Sequence, residues 1–202
     1  KVAFVSGASR PQENGRAIAL TLAKMGADVA VTGKTRLEGA MSLAEEIKAM
    51  GRKSIAIRMD VGDYDDVKAG FAKIKQELGA VNILVNNAAL MGHDRSISQT
   101  TNEDWDNKIR ICLSSAFYCT KEAWADMCAA KWGRIVNITS VAGALGGYGQ
   151  TAYGAAKAGL VSLAKSVALE GARFNITANA VMGRRGRLVF QLEGVSEPMR
   201  QR

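Results

Sequence analysis

The chain has 202 residues, of which 48% are hydrophobic, 23% charged and 6% aromatic, and this length is typical of a single compact domain. Its formal net charge of +8 excludes an acidic, self-repelling disordered chain, and its content of 21 Gly and 2 Pro excludes collagen-like or proline-rich character.

Membrane-spanning and metal-binding classes are disfavoured by the residue pattern. No apolar run reaches the ~18 residues that a membrane span needs. The three cysteines, Cys112, Cys119 and Cys128, form no CxxC pair and favour a reducing compartment. His93 is the sole histidine, which argues against a histidine metal cage and a Ser-His-Asp triad. The sequence therefore predicts a cytoplasmic protein with no metal site.

Apolar runs alternate with amphipathic segments along the chain. Continuous apolar runs predict six buried strands, at residues 2–7, 27–32, 54–59, 81–85, 133–139 and 176–181. Apolar residues at helical spacing predict five helices, at residues 16–25, 38–50, 63–78, 102–131 and 153–173.

This alternation predicts the α/β class with a doubly wound, Rossmann-like parallel sheet and helices on both faces. Ligands of such sheets bind beyond the carboxyl ends of the strands. One domain is predicted for residues 1–183, and residues 184–202, which show little periodicity, are predicted to be a tail or a lid.

A glycine-containing turn follows the first predicted strand. Gly7, Ser9 and Arg10 lie in this turn, and Gly15 precedes the first predicted helix. Such a turn lets backbone N–H groups approach a pyrophosphate at the positive end of a helix. A plain strand-to-helix turn is the alternative, because glycine-rich turns are common.

Basic residues follow the first two strands where an adenosine ribose is expected. Arg10, Lys34 and Arg36 are present there, and the second strand is followed by no acidic residue to accept from a ribose 2′-hydroxyl. This pattern predicts NADP(H) in preference to NAD(H), with ordinary surface charge as the alternative. Asp60 and Val61 follow the third strand, where Asp60 is either an adenine ligand or a turn residue.

A tyrosine and a lysine lie four residues apart in the fifth predicted helix. Tyr153 and Lys157 therefore share a helix face. A nearby ammonium favours the phenolate of a tyrosine, so the pair is a candidate proton donor and acceptor for a carbonyl or alcohol. Ser140 ends the fifth strand and could hydrogen-bond a substrate oxygen, or serve only as a cap.

These motifs together resemble the short-chain dehydrogenase/reductase family over residues 2–183. The spacing of thirteen residues from Ser140 to Tyr153 resembles the 3-oxoacyl-carrier-protein reductase-like branch. The segments that carry the resemblance are Ser6-Gly7-Ala8-Ser9-Arg10, Gly15, Asp60-Val61, Asn86-Asn87-Ala88-Ala89, Ile138-Thr139-Ser140 and Tyr153-Gly154-Ala155-Ala156-Lys157.

The resemblance implies a role for each matching residue. Tyr153 would be the general acid in ketone reduction and the base in alcohol oxidation. Lys157 would support the tyrosine and hydrogen-bond the nicotinamide ribose, and Ser140 would orient the substrate carbonyl. Asn87 and Ala88 would line the cofactor trough. The family also implies a homodimer or homotetramer.

The sequence departs from the family pattern at three places. Cys112 stands where the family usually has an asparagine that holds a water-linked proton relay, and a thiol is a weak hydrogen-bonding group. The phosphate loop is two residues longer and lacks its middle glycine. Gly183-Arg184 replaces the usual Pro-Gly, and the last helix and strand of the family have no clear counterpart.

The leading hypothesis is an NADP(H)-preferring oxidoreductase that interconverts a small-molecule secondary alcohol and a ketone. The alternative is a cofactor-binding protein with weak or no catalysis, such as a sensor or scaffold subunit, which Cys112 and the lengthened loop favour. The charge of +8 alone would suggest nucleic-acid binding. The basic residues are mostly scattered, however, so no nucleic-acid partner is predicted.

Overall fold

The computed structural model describes residues 1–10, 14–92, 95–184 and 187–189. His93 and the final segment 190–202 lie outside the described residues, as do positions 11–13 of the lengthened phosphate loop. The predictions made for them are not tested by the coordinates.

One sheet of seven strands runs through the described part of the chain in the order β3-β2-β1-β4-β5-β6-β7. The first six strands pair in parallel, as predicted, and β7 pairs antiparallel to β6. The strands are β1 (Val2–Val5), β2 (Asp28–Gly33), β3 (Ser54–Arg58), β4 (Val81–Asn86), β5 (Gly133–Ser140), β6 (Ile176–Arg184) and β7 (Arg187–Val189).

Helices connect the parallel strands. Their bounds are α1 (Asn14–Lys24), α2 (Leu37–Ala49), α3 (Tyr64–Glu77), α4 (Asn102–Ile109), α5 (Ser115–Ala130), α6 (Val141–Leu145) and α7 (Thr151–Gly171). None of the helices within the described ranges is both long enough and apolar enough to cross a membrane.

The helix predicted for 102–131 is not one regular α-helix. The segment is helical from Asn102 to Ala130, but a π-helical turn, Arg110–Ser114, joins α4 to α5. The Ser115 hydroxyl donates to the Ile111 carbonyl at 2.7 Å inside this turn. Such π turns are frequent at functional sites.

Two smaller features were also not predicted. The short helix α6 lies in the Gly- and Ala-rich segment after β5, where a loop was expected. Strand β6 continues to Arg184, and β7 returns beside it with Met182 opposite Val189. The sheet therefore extends into the segment predicted to be a tail.

The core consists of two apolar layers, one on each face of the sheet. On one face Phe4 packs against Phe71 of α3 with ring centres 5.0 Å apart, and α5 covers the same layer. On the other face Leu43 and Ile47 of α2 are fully buried, and α2 packs against β2 and β3. Burial of each such side chain stabilises the fold by about 1.5–3 kcal/mol.

The sheet order changes direction between β1 and β4. Strands β2 and β3 lie on one side of β1, and β4, β5 and β6 lie on the other. The chain segments after β1 and β4 therefore lead to helices on opposite faces of the sheet and leave a crevice at its carboxyl edge. In open parallel sheets this switch point is where ligands bind.

Candidate active site

A groove of about 850 Å³ lies along the carboxyl edge of the sheet. It is lined by residues at or beyond the carboxyl ends of the six parallel strands. All of the predicted site residues except Gly15 line it: Gly7, Ser9, Arg10, Lys34, Asp60, Val61, Asn87, Ala88, Ser140, Tyr153 and Lys157.

Gly15 has a packing role beneath the groove. A Cβ atom at this position would lie 2.6 Å from the Asn87 amide nitrogen and 2.6 Å from the Gly7 carbonyl oxygen. Real Cβ atoms do not approach other atoms so closely, so glycine is needed for α1 to start against the ends of β1 and β4. The sequence predicted Gly15 to contact phosphate, and the structure shows the close backbone approach on which such a site depends.

The loop after β1 is fastened to the end of β4 by a compact hydrogen-bond network. The Ser6 hydroxyl oxygen accepts from the backbone N–H groups of Asn87 and Ala88 at 3.0 Å each. The Asn87 side-chain amide donates to the carbonyls of Ser6 at 2.9 Å and Gly7 at 3.0 Å. The two loops at the switch point are thus held at a fixed separation.

Gly7 allows the closest contact between these loops. Its φ of +64° lies in the left-handed region, and a Cβ there would come within 2.8 Å of the Ala88 Cα. Both the backbone conformation and the lack of space therefore require glycine. A side chain at Gly7 would fill the floor of the groove at its middle.

One end of the groove is charged. The Lys34 ammonium donates to Oδ2 of Asp60 at 2.6 Å, and the Arg110 guanidinium donates to the same oxygen at 3.1 Å. The Gly62 N–H donates to the other oxygen, Oδ1, at 3.0 Å. Partial burial alone would raise the pKa of Asp60, but the hydrogen bonds from Lys34, Gly62 and Arg110 together lower it below its usual range.

Arg110 was missed by the sequence analysis, although it lines the groove and contacts a predicted site residue. A lone arginine in a helical pattern has no distinguishing signal, because charged residues normally lie on the solvated face. Arg110 is the first residue of the π turn, which the apolar pattern does not report.

The other end of the groove holds the predicted catalytic residues. Tyr153 and Lys157 are one turn apart on α7, and the Lys157 nitrogen lies 5.7 Å from the centre of the Tyr153 ring. The Ser140 hydroxyl oxygen accepts from the Ala142 N–H at 3.3 Å and caps α6. Ser140 is thus a cap, as the alternative interpretation held, and also lines the groove beside Tyr153.

Lys157 is 2% exposed, and its ammonium donates to the Ile138 carbonyl at 2.7 Å. Burial lowers the pKa of Lys157 below its usual value, and the Cys112 side chain acts in the opposite direction. The lysine is therefore a rigid group fixed beneath the tyrosine rather than a flexible surface cation.

Cys112 and Cys119 both lie within the protein interior. The Cys112 sulfur is 1% exposed and accepts from the Leu90 N–H at 3.3 Å, which ties the π turn to the segment after β4. Burial and the Glu122 carboxylate raise the pKa of Cys119 to about 12, so this thiol stays protonated in the core. Within the part of the chain that the structure describes, no group of three or more His, Cys, Asp or Glu side chains is arranged to hold a metal ion.

The groove has the chemical layout that an extended dinucleotide requires. Cations cluster at the charged end, glycine and alanine give close backbone approach in the middle, and Ser140, Tyr153 and Lys157 supply polar groups at the far end. The residues present therefore fit a nicotinamide dinucleotide.

Comparisons with known proteins agree with this geometry. A family profile described as short chain dehydrogenase matches residues 1–183. The chain is 42% identical over 181 residues to the 3-oxoacyl-[acyl-carrier-protein] reductase FabG of Staphylococcus aureus strain Mu50, covering 90% of this chain and 72% of that protein. The Pseudomonas aeruginosa FabG is 41% identical with the same coverage of both chains.

A solved structure extends the similarity to the fold. A short-chain alcohol dehydrogenase structure from Sinorhizobium meliloti 1021 superposes with a TM-score of 0.84 at 36% identity, over 89% of this chain and 70% of that one. These findings confirm the resemblance inferred from the motifs, including its 3-oxoacyl reductase-like branch. The chain therefore belongs to the short-chain dehydrogenase family, whose members are NAD(P)-dependent oxidoreductases that act on CH–OH or carbonyl groups.

Proposed function

We propose that this protein is an NADP(H)-preferring reductase that interconverts a ketone and a secondary alcohol, with a 3-oxoacyl compound as the substrate class. The single observation that carries the proposal is the groove itself, which joins the Lys34 and Asp60 end to Ser140, Tyr153 and Lys157. The substrate class comes from the curated relatives, which are named as 3-oxoacyl-[acyl-carrier-protein] reductases.

The phosphate-binding part of the groove is assigned to the loop after β1. Gly7 and Ser9 would hold the pyrophosphate beside the start of α1, and Gly15 would allow that start to approach closely. Lys34 would join Arg10 in binding a 2′-phosphate, which supports NADP(H) over NAD(H).

The remaining cofactor contacts follow the next strands. Asp60 and Val61 would border the adenine, and Asn87 and Ala88 would border the middle of the dinucleotide. Tyr153 and Lys157 would hydrogen-bond the nicotinamide ribose. When bound, the cofactor supplies or accepts the hydride.

Tyr153 is assigned the proton transfer. In reduction its hydroxyl gives a proton to the substrate oxygen as the carbonyl carbon becomes a CH–OH carbon, and in oxidation the phenolate takes that proton back. The fixed positive charge of Lys157 stabilises the phenolate. Because the lysine is held by the Ile138 carbonyl, it keeps this position throughout the cycle.

Ser140 is assigned the orientation of the substrate. Its oxygen accepts from Ala142, which leaves its O–H available to donate to the substrate oxygen. A hydrogen bond that strengthens as negative charge develops on that oxygen lowers the barrier. The cap therefore holds the serine oxygen at the groove.

The assembly, location and domain limits are part of the same proposal. We infer a homodimer or homotetramer by analogy with the family, and one dinucleotide-binding and catalytic domain over residues 1–183. A cytoplasmic location is supported by the three cysteines, all of which are free thiols.

The proposal is tested by following NADPH and NADH oxidation with a panel of 3-oxoacyl thioesters and simple ketones. We expect turnover with at least one 3-oxoacyl thioester and a higher kcat/KM for NADPH than for NADH. Turnover that is absent across the panel, or faster with NADH, would contradict the proposed substrate class or the cofactor preference respectively.

A second candidate function is a cofactor-binding subunit with little catalysis. Cys112 favours it, because the thiol stands at the family's relay position and is engaged with the Leu90 N–H. The variant Cys112→Asn separates the two candidates. A slow wild type that Cys112→Asn accelerates supports the impaired subunit, whereas a brisk wild type that the substitution leaves unchanged excludes it.

A further inference from the structure

Three charged side chains from three elements meet at the adenosine end of the groove. Lys34 follows β2, Asp60 follows β3, and Arg110 begins the π turn. Both cations bond the same carboxylate oxygen, Oδ2 of Asp60, so their charged groups lie side by side. The side chains are 51%, 16% and 37% exposed respectively, and all three line the groove.

The charge balance of this cluster depends on Arg110. Lys34 and Asp60 alone form a neutral pair, in which the carboxylate cancels the cation expected to meet a 2′-phosphate. Addition of Arg110 gives the three side chains a net charge of +1. The hydrogen bonds that Asp60 accepts keep its carboxyl ionised at neutral pH, so the three side chains keep a net charge of +1 under physiological conditions.

The backbone around the cluster is shaped to admit the guanidinium. A Cβ at Gly62 would lie 2.5 Å from an Arg110 nitrogen, so a side chain there would displace the arginine. The same glycine donates its N–H to Oδ1 of Asp60. The turn after β3 thus orients the carboxylate and leaves room for the cation that neutralises it.

We propose that Arg110 is a specificity-determining residue that selects the 2′-phosphorylated cofactor by neutralising Asp60. With Asp60 compensated by Arg110, the charge of Lys34 is available to the phosphate. The inference rests on the proposed function, since it assumes that the groove binds the dinucleotide with its adenosine at this end.

The test measures nucleotide binding without turnover. Dissociation constants for adenosine 2′,5′-bisphosphate and for 5′-AMP are determined by titration calorimetry on the wild type and on Arg110→Met. We expect Arg110→Met to weaken bisphosphate binding about tenfold and to change 5′-AMP binding less than about twofold, with a difference that shrinks as salt rises.

Two further variants separate charge compensation from structure. Arg110→Lys keeps the positive charge and is expected to retain most of the preference for adenosine 2′,5′-bisphosphate over 5′-AMP. In Asp60→Asn/Arg110→Met the net charge of the cluster returns to +1, so bisphosphate affinity is expected to recover toward that of the wild type. Arg52→Met is the matched control, because Arg52 pairs with Asp28 at 2.9 Å away from the groove.

The results of these titrations distinguish charge compensation by Arg110 from a purely structural role of this residue. Equal loss of both nucleotides in Arg110→Met would show a structural role only and would overturn the inference, as would an unchanged bisphosphate affinity. A double variant as weak as Arg110→Met would also overturn it, because compensation of Asp60 would then not be the cause. A wild type that binds neither nucleotide overturns the proposed function together with this inference, whereas the other outcomes leave the proposed function intact.

Discussion

The ammonium of Lys157 donates a hydrogen bond of 2.7 Å to the backbone carbonyl of Ile138. This contact fixes a nearly fully buried lysine of α7 to strand β5, below Tyr153. A buried cation is costly to the fold, and burial lowers the pKa of this one. The arrangement is typical of a group kept for function at the expense of stability.

Replacement of Lys157 is therefore expected to lower the activity and to remove the rise of stability with pH that this buried lysine causes. In the folded protein the pKa of Lys157 lies below the value of 10.5 for an unperturbed lysine. Between these two values the unfolded chain binds more protons, so the stability of the wild type rises with pH. Relative to Lys157→Met, we expect the free energy of unfolding to rise by up to about 1.4 kcal/mol per pH unit in this window.

Urea unfolding of wild type and Lys157→Met between pH 7 and pH 10.5 measures this difference, and Lys24→Met, at an exposed lysine at the end of α1, is the control. The free energy of unfolding of the wild type minus that of Lys157→Met should be constant below the lowered pKa of Lys157 and should rise with pH above it. A difference that falls with pH would show that the ammonium is stabilised by its surroundings. Turnover of Lys157→Met should fall at least about a hundredfold.

Gly7→Ala should weaken cofactor binding. The substitution places a Cβ within 2.8 Å of Ala88 and forces a non-glycine residue to φ +64°. We expect a loss of stability of about 1–3 kcal/mol and a rise in the Kd for NADPH of tenfold or more, since the groove floor must shift. Thermal melts and fluorescence titration with NADPH measure the two effects.

Gly51→Ala is the matched control for that prediction. Gly51 has a φ of +79° but nothing within 4 Å of its Cβ position, and it lies in the turn after α2. It should lose stability from backbone strain and keep the Kd for NADPH of the wild type. Equal weakening of NADPH binding in both variants would mean that the effect comes from general destabilisation and not from the groove.

Ser140→Ala removes a hydroxyl that both caps α6 and faces the groove. We expect kcat to fall by about 10²-fold, because the developing charge on the substrate oxygen loses a donor, while the Kd for NADPH stays within a factor of two. Asp63→Ala is the control for lost capping, because the Asp63 carboxylate accepts from the Asp66 N–H at 3.0 Å at the start of α3. Comparable losses of kcat in the two variants would show that Ser140 acts only as a helix cap.

The parallel sheet was predictable because its strands are continuous apolar runs that end at glycine or polar residues. The boundaries differ from the prediction by one to three residues; for example, the strand predicted to end at 181 continues to Arg184. Strand β7 could not be predicted, since a pairing of three residues leaves no periodic signal.

The placement of the candidate catalytic residues at one end of the groove was predictable from their spacing, and the roles proposed for them came from the family resemblance. Tyr153 and Lys157 share a helix face by virtue of their separation, and Ser140 ends a strand that points to the same edge. Arg110 could not be found in this way, because its relationship to Asp60 spans fifty positions and depends on the π turn. Local sequence patterns report periodicity within an element, whereas contacts between elements are set by the tertiary fold.

The most direct test of the central claim is single-turnover hydride transfer from NADPH to a reactive 3-oxoacyl thioester, measured by stopped flow on wild type and Tyr153→Phe. The Kd for NADPH is measured on the same preparations. We predict a rate at least about a hundredfold lower in Tyr153→Phe at a nearly unchanged Kd, because only the proton donor is lost. Equal rates in the two proteins would contradict the role of Tyr153 and with it the proposed mechanism.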